Sequence, residues 1–253
     1  MSAIDTRLPG LLKGSKPLLG MFIGIASPAI VEMCGYAGFD FIVLDNEHGP
    51  AGLETTENLI RAARCSNTIP VVRTLEPDIL RVLDIGASAI QVPQVNTAEQ
   101  ARRIVAAAKY PPTGTRGAAF SPRAAGYGFF GGTQHAKASN EGTAVILMIE
   151  TREALANLDE ILAVPGVDAL FIGPNDLSFS MGHVGDQKHP EVVGAIDAAI
   201  AKIARTQVVA GLMTVAPDDY RKYAGLGARY LTTQIASVVG IALKNTVAAM
   251  RQQ

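Results

Sequence analysis

Ionisable side chains stand at the ends of several short apolar runs, where buried strands would finish. The run "FIVLD" ends in Asp45, and His48 follows three residues later. Arg73 closes the run "PVVR", Glu150 closes "AVILMIE", and Asp176 lies just beyond "ALFIG". Histidine is suited to proton transfer near neutral pH, and carboxylate oxygens are suited to hard divalent cations. These residue types therefore indicate metal-assisted acid–base chemistry.

Glu150 and Asp176 are the candidate metal ligands. Two carboxylates that leave positions for water and substrate oxygens suit Mg²⁺ or Mn²⁺. The cysteines, Cys34 and Cys65, show no spacing typical of a zinc site or a disulfide framework. Each carboxylate also has a structural explanation, because both stand beside predicted helix starts, where negative charge is favourable. Their position at the ends of neighbouring strands favours the metal interpretation.

His48 is the candidate general base beside Asp45, although an ordinary loop histidine would give the same pattern. Arg73 would end a buried strand, where a guanidinium is unfavourable unless an anionic group meets it. The turn "GPND", at a predicted helix start, offers backbone N–H groups to a substrate carboxylate. The remaining histidines are predicted to be surface residues or weak candidates for an aldehyde site: His135, His183 and His189.

Eight strand-like runs rich in Val, Ile and Leu alternate with stretches of helical periodicity. The predicted strands are 18–25, 41–45, 70–74, 89–93, 144–150, 169–173, 208–213 and 229–233. The predicted helices are 27–38, 53–66, 77–85, 97–108, 152–163, 190–206, 217–225 and 236–250. This pattern predicts a single (β/α)₈ TIM barrel over residues 1–253, with its chemistry at the C-terminal ends of the strands. A doubly wound open sheet is the competing architecture, but "GIGIASPA" is a weak match to its glycine-rich phosphate loop.

Two segments interrupt the alternation of strands and helices. The Gly/Pro-rich residues 110–143 and the shorter segment 180–190 are predicted to be long loops. Loops of the first segment's length usually serve function or assembly.

Composition limits the partners that the protein could have. A formal net charge of −1 gives no reason to expect nucleic acid or an anionic membrane. The charged fraction of 18% is low, which suggests that other subunits cover part of the surface. No apolar run reaches the roughly 18 residues of a membrane span, and "MSAIDTRLPG" shows no signal-peptide pattern. We therefore expect a cytoplasmic homo-oligomer.

Several long motifs, in the same order, resemble the metal-dependent (class II) pyruvate aldolases of the HpcH/HpaI family. That family includes 4-hydroxy-2-oxoheptanedioate aldolase and 2-dehydro-3-deoxyglucarate aldolase. The motifs are "GFDFIVLDNEHGP", "LDIGASAIQVPQV", "YPPTGTRGAAFSPRAAGYG" and "IETREALANLDEILAVPGVDALFIGPNDLS". The resemblance implies a phosphoenolpyruvate/pyruvate-type barrel with an exchanged C-terminal helix, and a hexamer built as a trimer of dimers. It also implies reversible cleavage of a 4-hydroxy-2-oxo acid to pyruvate and an aldehyde, through an enolate stabilised by Mg²⁺, Mn²⁺ or Co²⁺.

The resemblance also implies roles for individual residues. Glu150 and Asp176 would bind the metal, and Arg73 would bind pyruvate and its enolate. His48 would be the base or would activate one, with Asp45 and Asp84 as acidic supporters, and Asp84 would approach the site of a neighbouring subunit. The pyruvate carboxylate would be held by the segment Gly173, Pro174, Asn175 and Asp176, and Arg123 would lie near the mouth. Departures from the family pattern, which indicate a different acceptor pocket, occur at Met148 and at Gln234-Ile235-Ala236.

Other reactions and roles fit parts of the same pattern. Decarboxylation of a 2-oxo diacid such as oxaloacetate, or a macrophomate synthase-like bond formation, would use the same metal enolate. A metal-free phosphosugar isomerase would need a phosphate-binding turn after the last two strands, where "GLMTVAP" and "TTQIAS" offer little. No lysine ends a predicted strand, which disfavours a Schiff-base mechanism. A non-catalytic barrel is the remaining alternative, and it would show no activity after addition of Mn²⁺.

Overall fold

Within residues 3–251, the part of the chain that the computed structural model describes, eight parallel strands close into one barrel. The strands are β1 (Leu18–Ile23), β2 (Phe41–Asp45), β3 (Ile69–Arg73), β4 (Ala89–Val92), β5 (Ala144–Ile149), β6 (Ala169–Ile172), β7 (Val209–Met213) and β8 (Tyr230–Gln234). Each strand pairs with the next along the chain, and β8 pairs with β1 to complete the cylinder. The prediction of a (β/α)₈ barrel is confirmed, and each strand end lies within two residues of its predicted position. A doubly wound sheet is excluded because it would leave two unpaired edges.

Helices connect the strands and surround the barrel. They are α1 (Leu8–Leu12), α2 (Pro28–Tyr36), α3 (Leu53–Cys65), α4 (Ile79–Asp84), α5 (Ala98–Ala108), α6 (Thr133–Gly142), α7 (Arg152–Ala156), α8 (Leu158–Leu162), α9 (Pro174–Ser180), α10 (Pro190–Ile203), α11 (Pro217–Gly225) and α12 (Ile235–Arg251). Thr97 and Gln100 form a reciprocal capping box at the start of α5, which satisfies two otherwise unpaired backbone donors. The single helix predicted over 152–163 is broken at Asn157 into α7 and α8.

The barrel interior is filled by large side chains below the mouth, by which we mean the opening at the C-terminal ends of the strands. Phe41 stacks on Tyr230 with 4.3 Å between ring centroids, and Phe171 meets Tyr230 edge to face at 6.0 Å. Gly20 permits this packing, because a Cβ at that position would overlap the Phe41 ring. A filled interior leaves the mouth as the end of the barrel that is open to a ligand.

Residues 110–143, predicted as one long loop, contain a 3₁₀ turn at Arg123–Gly128 and the helix α6. The prediction of a loop is wrong for α6. The helix was missed because "TQHAKASNEG" shows little apolar periodicity. Tertiary contacts stabilise the helix instead. The buried ammonium of Lys109 donates to the carbonyl oxygens of Asn140 and Thr143, at 2.8 and 2.6 Å, near the C-terminal end of α6.

Helix α12 leaves the barrel after its first turn. Ile235 is buried, but no residue from 236 to 251 is buried in the single chain. Large apolar side chains of this helix are exposed, including Ile241 at 54%, Leu243 at 63% and Met250 at 81%. The described part of the chain therefore leaves an apolar face of α12 exposed.

Among the helices of residues 3–251, none combines the length and the hydropathy that a membrane-spanning segment requires.

Candidate active site

A cavity of about 380 Å³ opens at the mouth of the barrel. Its lining includes the predicted site residues His48, Arg73, Gly173, Pro174, Asn175 and Asp176. Apolar and amide side chains complete the lining: Phe22, Met148, Phe171, Gln187, Met213, Val215 and Gln234. Met148 and Gln234, two positions where the chain departs from the family pattern, therefore both face the cavity. Sequence analysis gave no indication that Gln187 would reach it from the segment before α10.

Arg73 is fixed by two carboxylates from β2 and the turn that follows it. Its Nε and Nη2 donate to Asp45 Oδ1 and Oδ2 at 2.8 and 2.6 Å, and its Nη1 lies 3.1 Å from Glu47 Oε2. The guanidinium also lies over the Phe22 ring, 5.0 Å from its centroid. Burial alone would raise the pKa of Asp45, but the hydrogen bonds and charge of Arg73 outweigh it and hold the pKa below its usual value. Arg73 thus reaches the cavity as a rigid, oriented cation.

The expected support of the His48 imidazole by Asp45 is not seen within the chain. Asp45 instead accepts the backbone N–H of His48 at 3.2 Å and that of Glu47 at 3.1 Å, which fixes the turn. The imidazole itself is 69% exposed, and its Nε2 lies 3.8 Å from Glu47 Oε2. This expectation is therefore corrected: Asp45 orients Arg73 and the turn. Glu47 is the nearest acidic neighbour of the imidazole, and no role had been assigned to it from the sequence.

Glu150 is held so that one of its oxygens remains available. Its Oε1 accepts the backbone N–H of Gln94 at 2.6 Å. Gln94 has a φ of 56°, a left-handed conformation that is uncommon for a residue other than glycine and that no sequence pattern predicted. Beside the other oxygen stands Gly173, where a Cβ would lie 2.6 Å from Glu150 Oε2. The absence of a side chain at Gly173 therefore keeps Oε2 free.

Glu150 is a weaker acid than an ordinary glutamate. Burial raises its pKa to about 7, and the charges of Asp176 and Glu47 act in the same direction. The Gln94 N–H and the charge of Arg73 lower it, but by less. A buried carboxylate beside other carboxylates is stabilised by a cation, which would displace the proton.

The donor set of the mouth fits a divalent metal. Asp176, in the first turn of α9, is exposed and close enough to affect Glu150 electrostatically. Arg73 is the only cationic group of the described cavity lining, and two carboxylates already neutralise it. Glu150 and Asp176 together therefore carry charge that a bound Mg²⁺ or Mn²⁺ would compensate, and all-oxygen donors suit these ions.

Asp84 and Arg123 lie at the other end of the barrel from His48 within the same chain. Asp84 closes α4, before β4 begins, and accepts from the buried Arg116 at 2.7 Å. Arg123 donates to the carbonyl oxygen of Ile85 at 3.1 Å. Helices run antiparallel to the strands they follow, so the end of α4 faces away from the mouth. The single chain does not bring Asp84 and Arg123 into the mouth. Their predicted part in catalysis would require a neighbouring subunit.

Comparison with known proteins agrees with this geometry. The model of the family described as HpcH/HpaI aldolase/citrate lyase matches residues 18–239. The chain is 40% identical to 2-dehydro-3,6-dideoxy-6-sulfogluconate aldolase of Pseudomonas putida, over 90% of this chain and 89% of that protein. It is 38% identical to hydroxypyruvate/pyruvate aldolase of Agrobacterium fabrum, over 91% of this chain and 88% of that protein. A crystal structure of an HpcH/HpaI aldolase/citrate lyase family protein from Burkholderia cenocepacia superposes with a TM-score of 0.93 at 30% identity, covering 98% of this chain and all of that one.

Proposed function

The chain belongs to the HpcH/HpaI aldolase/citrate lyase family, and from this membership we propose that it is a divalent-metal-dependent pyruvate aldolase. The reaction is reversible cleavage of a 4-hydroxy-2-oxo acid to pyruvate and an aldehyde. The observation that carries the proposal is that Arg73 and Asp176 line one cavity and both act electrostatically on Glu150, which lies directly behind the lining residue Gly173. Curated relatives that carry aldolase names and match about nine-tenths of the chain support it.

The 2-oxo acid end of the substrate binds at the inner part of the cavity. The first turn of α9 carries Asn175 and Asp176, whose backbone N–H groups are free to hold the pyruvate carboxylate. Arg73, already oriented by Asp45, places positive charge beside the oxygen that becomes negative in the enolate. Pre-orientation means that the guanidinium does not have to rearrange as the charge develops.

Glu150 and Asp176 would hold the metal. When bound, the cation supplies Lewis acidity that stabilises negative charge on the 2-oxo acid as its C3–C4 bond breaks. Gln94 and Gly173 keep one oxygen of Glu150 directed and unobstructed for this role. Because the pKa of Glu150 is raised to about 7, part of this residue is protonated near neutral pH, and that proton must leave before the carboxylate can bind a metal.

His48 accepts the proton of the C4 hydroxyl group as the C3–C4 bond breaks, and the enolate that remains takes a proton from solvent at C3 to become pyruvate. The addition direction reverses both proton transfers. Its exposed imidazole stands at the rim of the cavity, where the outer half of the substrate would lie. Glu47 Oε2, 3.8 Å from the imidazole Nε2, is the nearest carboxylate to the ring. Among the described residues that line the cavity there is no lysine, so the lining offers no amine for a Schiff base.

Steady-state assays with and without metal test the proposed function. Pyruvate and a panel of aldehydes are incubated with protein stripped by EDTA, and the aldol products are quantified before and after addition of Mg²⁺, Mn²⁺ or Co²⁺. We expect no product from the stripped protein and recovery with the metal. Full activity without metal, or a borohydride-trapped lysine adduct with pyruvate, would refute the metal mechanism.

We further propose that α12 is exchanged between paired subunits and that the pairs assemble into a hexamer. The exposed apolar side chains of α12 support the exchange, because they have no covering surface in the single chain. Phe129, 87% exposed in the segment before α6, is a further apolar residue that another subunit could cover. Light scattering should report six chains, and a monomer at micromolar concentration would refute the assembly.

A further inference from the structure

The segment between α9 and α10 carries a second group of metal-ligating side chains. Within the described residues, ligand atoms of His183, His189 and Glu191 all lie within 4.8 Å of one another. His183 Nε2 is 2.7 Å from Glu191 Oε2. The two imidazole rings stack with 3.5 Å between centroids and 16° between planes. Three donors of suitable chemistry therefore already share one small volume.

We propose that His183, His189 and Glu191 form a second metal site, which binds a transition-metal ion such as Zn²⁺. Two imidazoles and one carboxylate are a donor set that Zn²⁺, Co²⁺ or Ni²⁺ accepts, with a further position left for water. The set differs from Glu150 and Asp176, whose oxygens suit Mg²⁺ or Mn²⁺. The imidazole donors of the second site would therefore favour transition-metal ions over Mg²⁺.

Small side-chain movements bring the three groups to ligand distance. Zinc lies about 2.0–2.2 Å from nitrogen and carboxylate ligands, so the donors must converge from their present separations and the rings must tilt out of their stack. Glu191 is 65% exposed in its side chain, and His183 is partly exposed at 20%. Partly exposed side chains can change rotamer without disturbing the core.

His189 currently has a structural role that the metal would modify. Its Nδ1 accepts the backbone N–H of Glu191 at the start of α10, at the long distance of 3.3 Å. That N–H lies in the first turn of a helix, where water can replace a lost acceptor at little cost. A structural ion pair between His183 and Glu191, with His189 as a helix cap, is the competing explanation of the same contacts.

A metal at this site would fix a segment that reaches the catalytic cavity. His183 N–H and Gly185 N–H donate to Ser178 O and Ser178 Oγ, at 2.8 and 3.1 Å, so the segment is tied to α9. Gln187 of the same segment lines the cavity and approaches Asn175 Oδ1 at 3.4 Å. The second metal would therefore restrain the position of Gln187.

The experiment uses the full-length protein with Glu150→Gln and Asp176→Asn. These changes remove the first metal site, formed by the carboxylate oxygens of Glu150 and Asp176 and called the oxygen site below. The binding measurement then does not depend on enzyme activity. Metal-stripped protein is titrated with Zn²⁺ by calorimetry, and with Co²⁺ by visible absorption, whose intensity reports low-coordinate cobalt. We expect one ion per chain. His183→Ala or Glu191→Gln, each added to this background, should weaken binding about tenfold or more, since outer-shell losses alone reach that size.

Glu153→Gln is the matched control, because Glu153 is also an exposed carboxylate in the first turn of a helix. It should leave Zn²⁺ binding unchanged, and circular dichroism should show that every variant is folded. Absence of Zn²⁺ binding in the parent double variant would overturn the proposal. So would equal binding by the His183→Ala protein, and the contacts would then be an ion pair and a helix cap only.

Discussion

Asp45 and Arg73 are partners in the register of β2 and β3, and the carboxylate accepts two hydrogen bonds from the guanidinium, at 2.8 and 2.6 Å. Both residues are the last of their strands. The barrel register therefore decides the direction in which Arg73 presents its remaining N–H groups to the cavity. Strand pairing sets the two-point contact of Arg73 with Asp45, and Glu47 of the following turn adds an ion pair at 3.1 Å.

Asp45→Asn is expected to lower kcat/KM for aldol cleavage by about 10–100-fold, the equivalent of about 1.4–3 kcal/mol in the barrier. The amide keeps the shape of the side chain but loses the charge that holds Arg73 in two-point contact. Steady-state kinetics measures the change. Asp78→Asn, which alters the exposed Asp78–Arg81 pair instead, should leave kcat/KM unchanged. Equal kinetics for Asp45→Asn and the native protein would contradict the orienting role.

His48 and Arg73 should have separable effects on two reactions. His48→Ala should lose about 10²–10⁴-fold in aldol cleavage, because no group remains to take the hydroxyl proton. It should retain oxaloacetate decarboxylation, which needs no such proton transfer. Arg73→Lys should impair both reactions, since both pass through the same enolate and lysine cannot reproduce the two-point contact with Asp45.

Lysine is preferred to alanine at position 73 because removal of the cation would leave Asp45 and Glu47 unpaired at largely buried positions. Cleavage, decarboxylation and thermal stability are measured side by side on the two variants. Native-like cleavage by His48→Ala, or native-like decarboxylation by Arg73→Lys, would show that the assigned roles are wrong.

The affinity of the oxygen site for Mg²⁺ should fall as the pH falls. Because the pKa of Glu150 is raised to about 7, its carboxyl group is mostly protonated at pH 6 and mostly ionised at pH 8. Calorimetry should give a dissociation constant about tenfold larger at pH 6 than at pH 8. Mg²⁺ is the suitable probe since it binds poorly to imidazole sites. An affinity that is constant between these two pH values would contradict the prediction.

The same raised pKa has the opposite consequence for the metal-free fold. The folded state holds the proton on Glu150 more tightly than the unfolded chain does, so the stabilisation is complete below pH 4.5 and is lost as the pH rises through about 7. The loss is on the order of 3 kcal/mol. Denaturant unfolding of stripped protein at pH 5 and pH 8 measures it. Glu150→Gln should show a smaller fall in stability over that range.

Gly173→Ala should reduce metal affinity while the protein stays folded. The new Cβ would lie 2.6 Å from Glu150 Oε2, the oxygen that is left free for the cation, and would force the carboxylate aside. Gly24→Ala is the matched control, because Gly24 also follows a strand at the mouth and a Cβ there meets no atom within 4 Å. Mg²⁺ calorimetry on both variants tests the prediction, and equal affinities would contradict it.

The barrel and most of the mouth could be predicted from the sequence because both follow from one pattern. Strands covered on both sides appear as Val/Ile/Leu runs, and a run that ends in Arg73 or is followed by His48 places that residue at the C-terminal end of a strand. The placement of His48, Arg73 and Asp176 in one cavity agrees with this reading.

The contacts within the mouth could not be predicted in the same way. The partner of Asp45 depends on the strand register, which no local pattern specifies, and it proved to be Arg73 instead of the His48 imidazole. The left-handed backbone of Gln94, which directs Glu150, depends on tertiary packing that overrides residue preference. Helix α6 has too few apolar residues for periodicity to reveal it.

Metal-dependent enolisation of pyruvate is the property on which the proposed function depends most directly, and hydrogen exchange at the pyruvate methyl group measures it without an acceptor aldehyde. Pyruvate in D₂O is followed by proton NMR with metal-stripped protein, with Mg²⁺ added, and with the Glu150→Gln protein plus Mg²⁺. Rapid exchange is predicted only for the native protein with Mg²⁺, because Glu150 is a proposed ligand of the ion. Equally rapid exchange by the stripped protein or by Glu150→Gln would contradict a metal-dependent pyruvate aldolase.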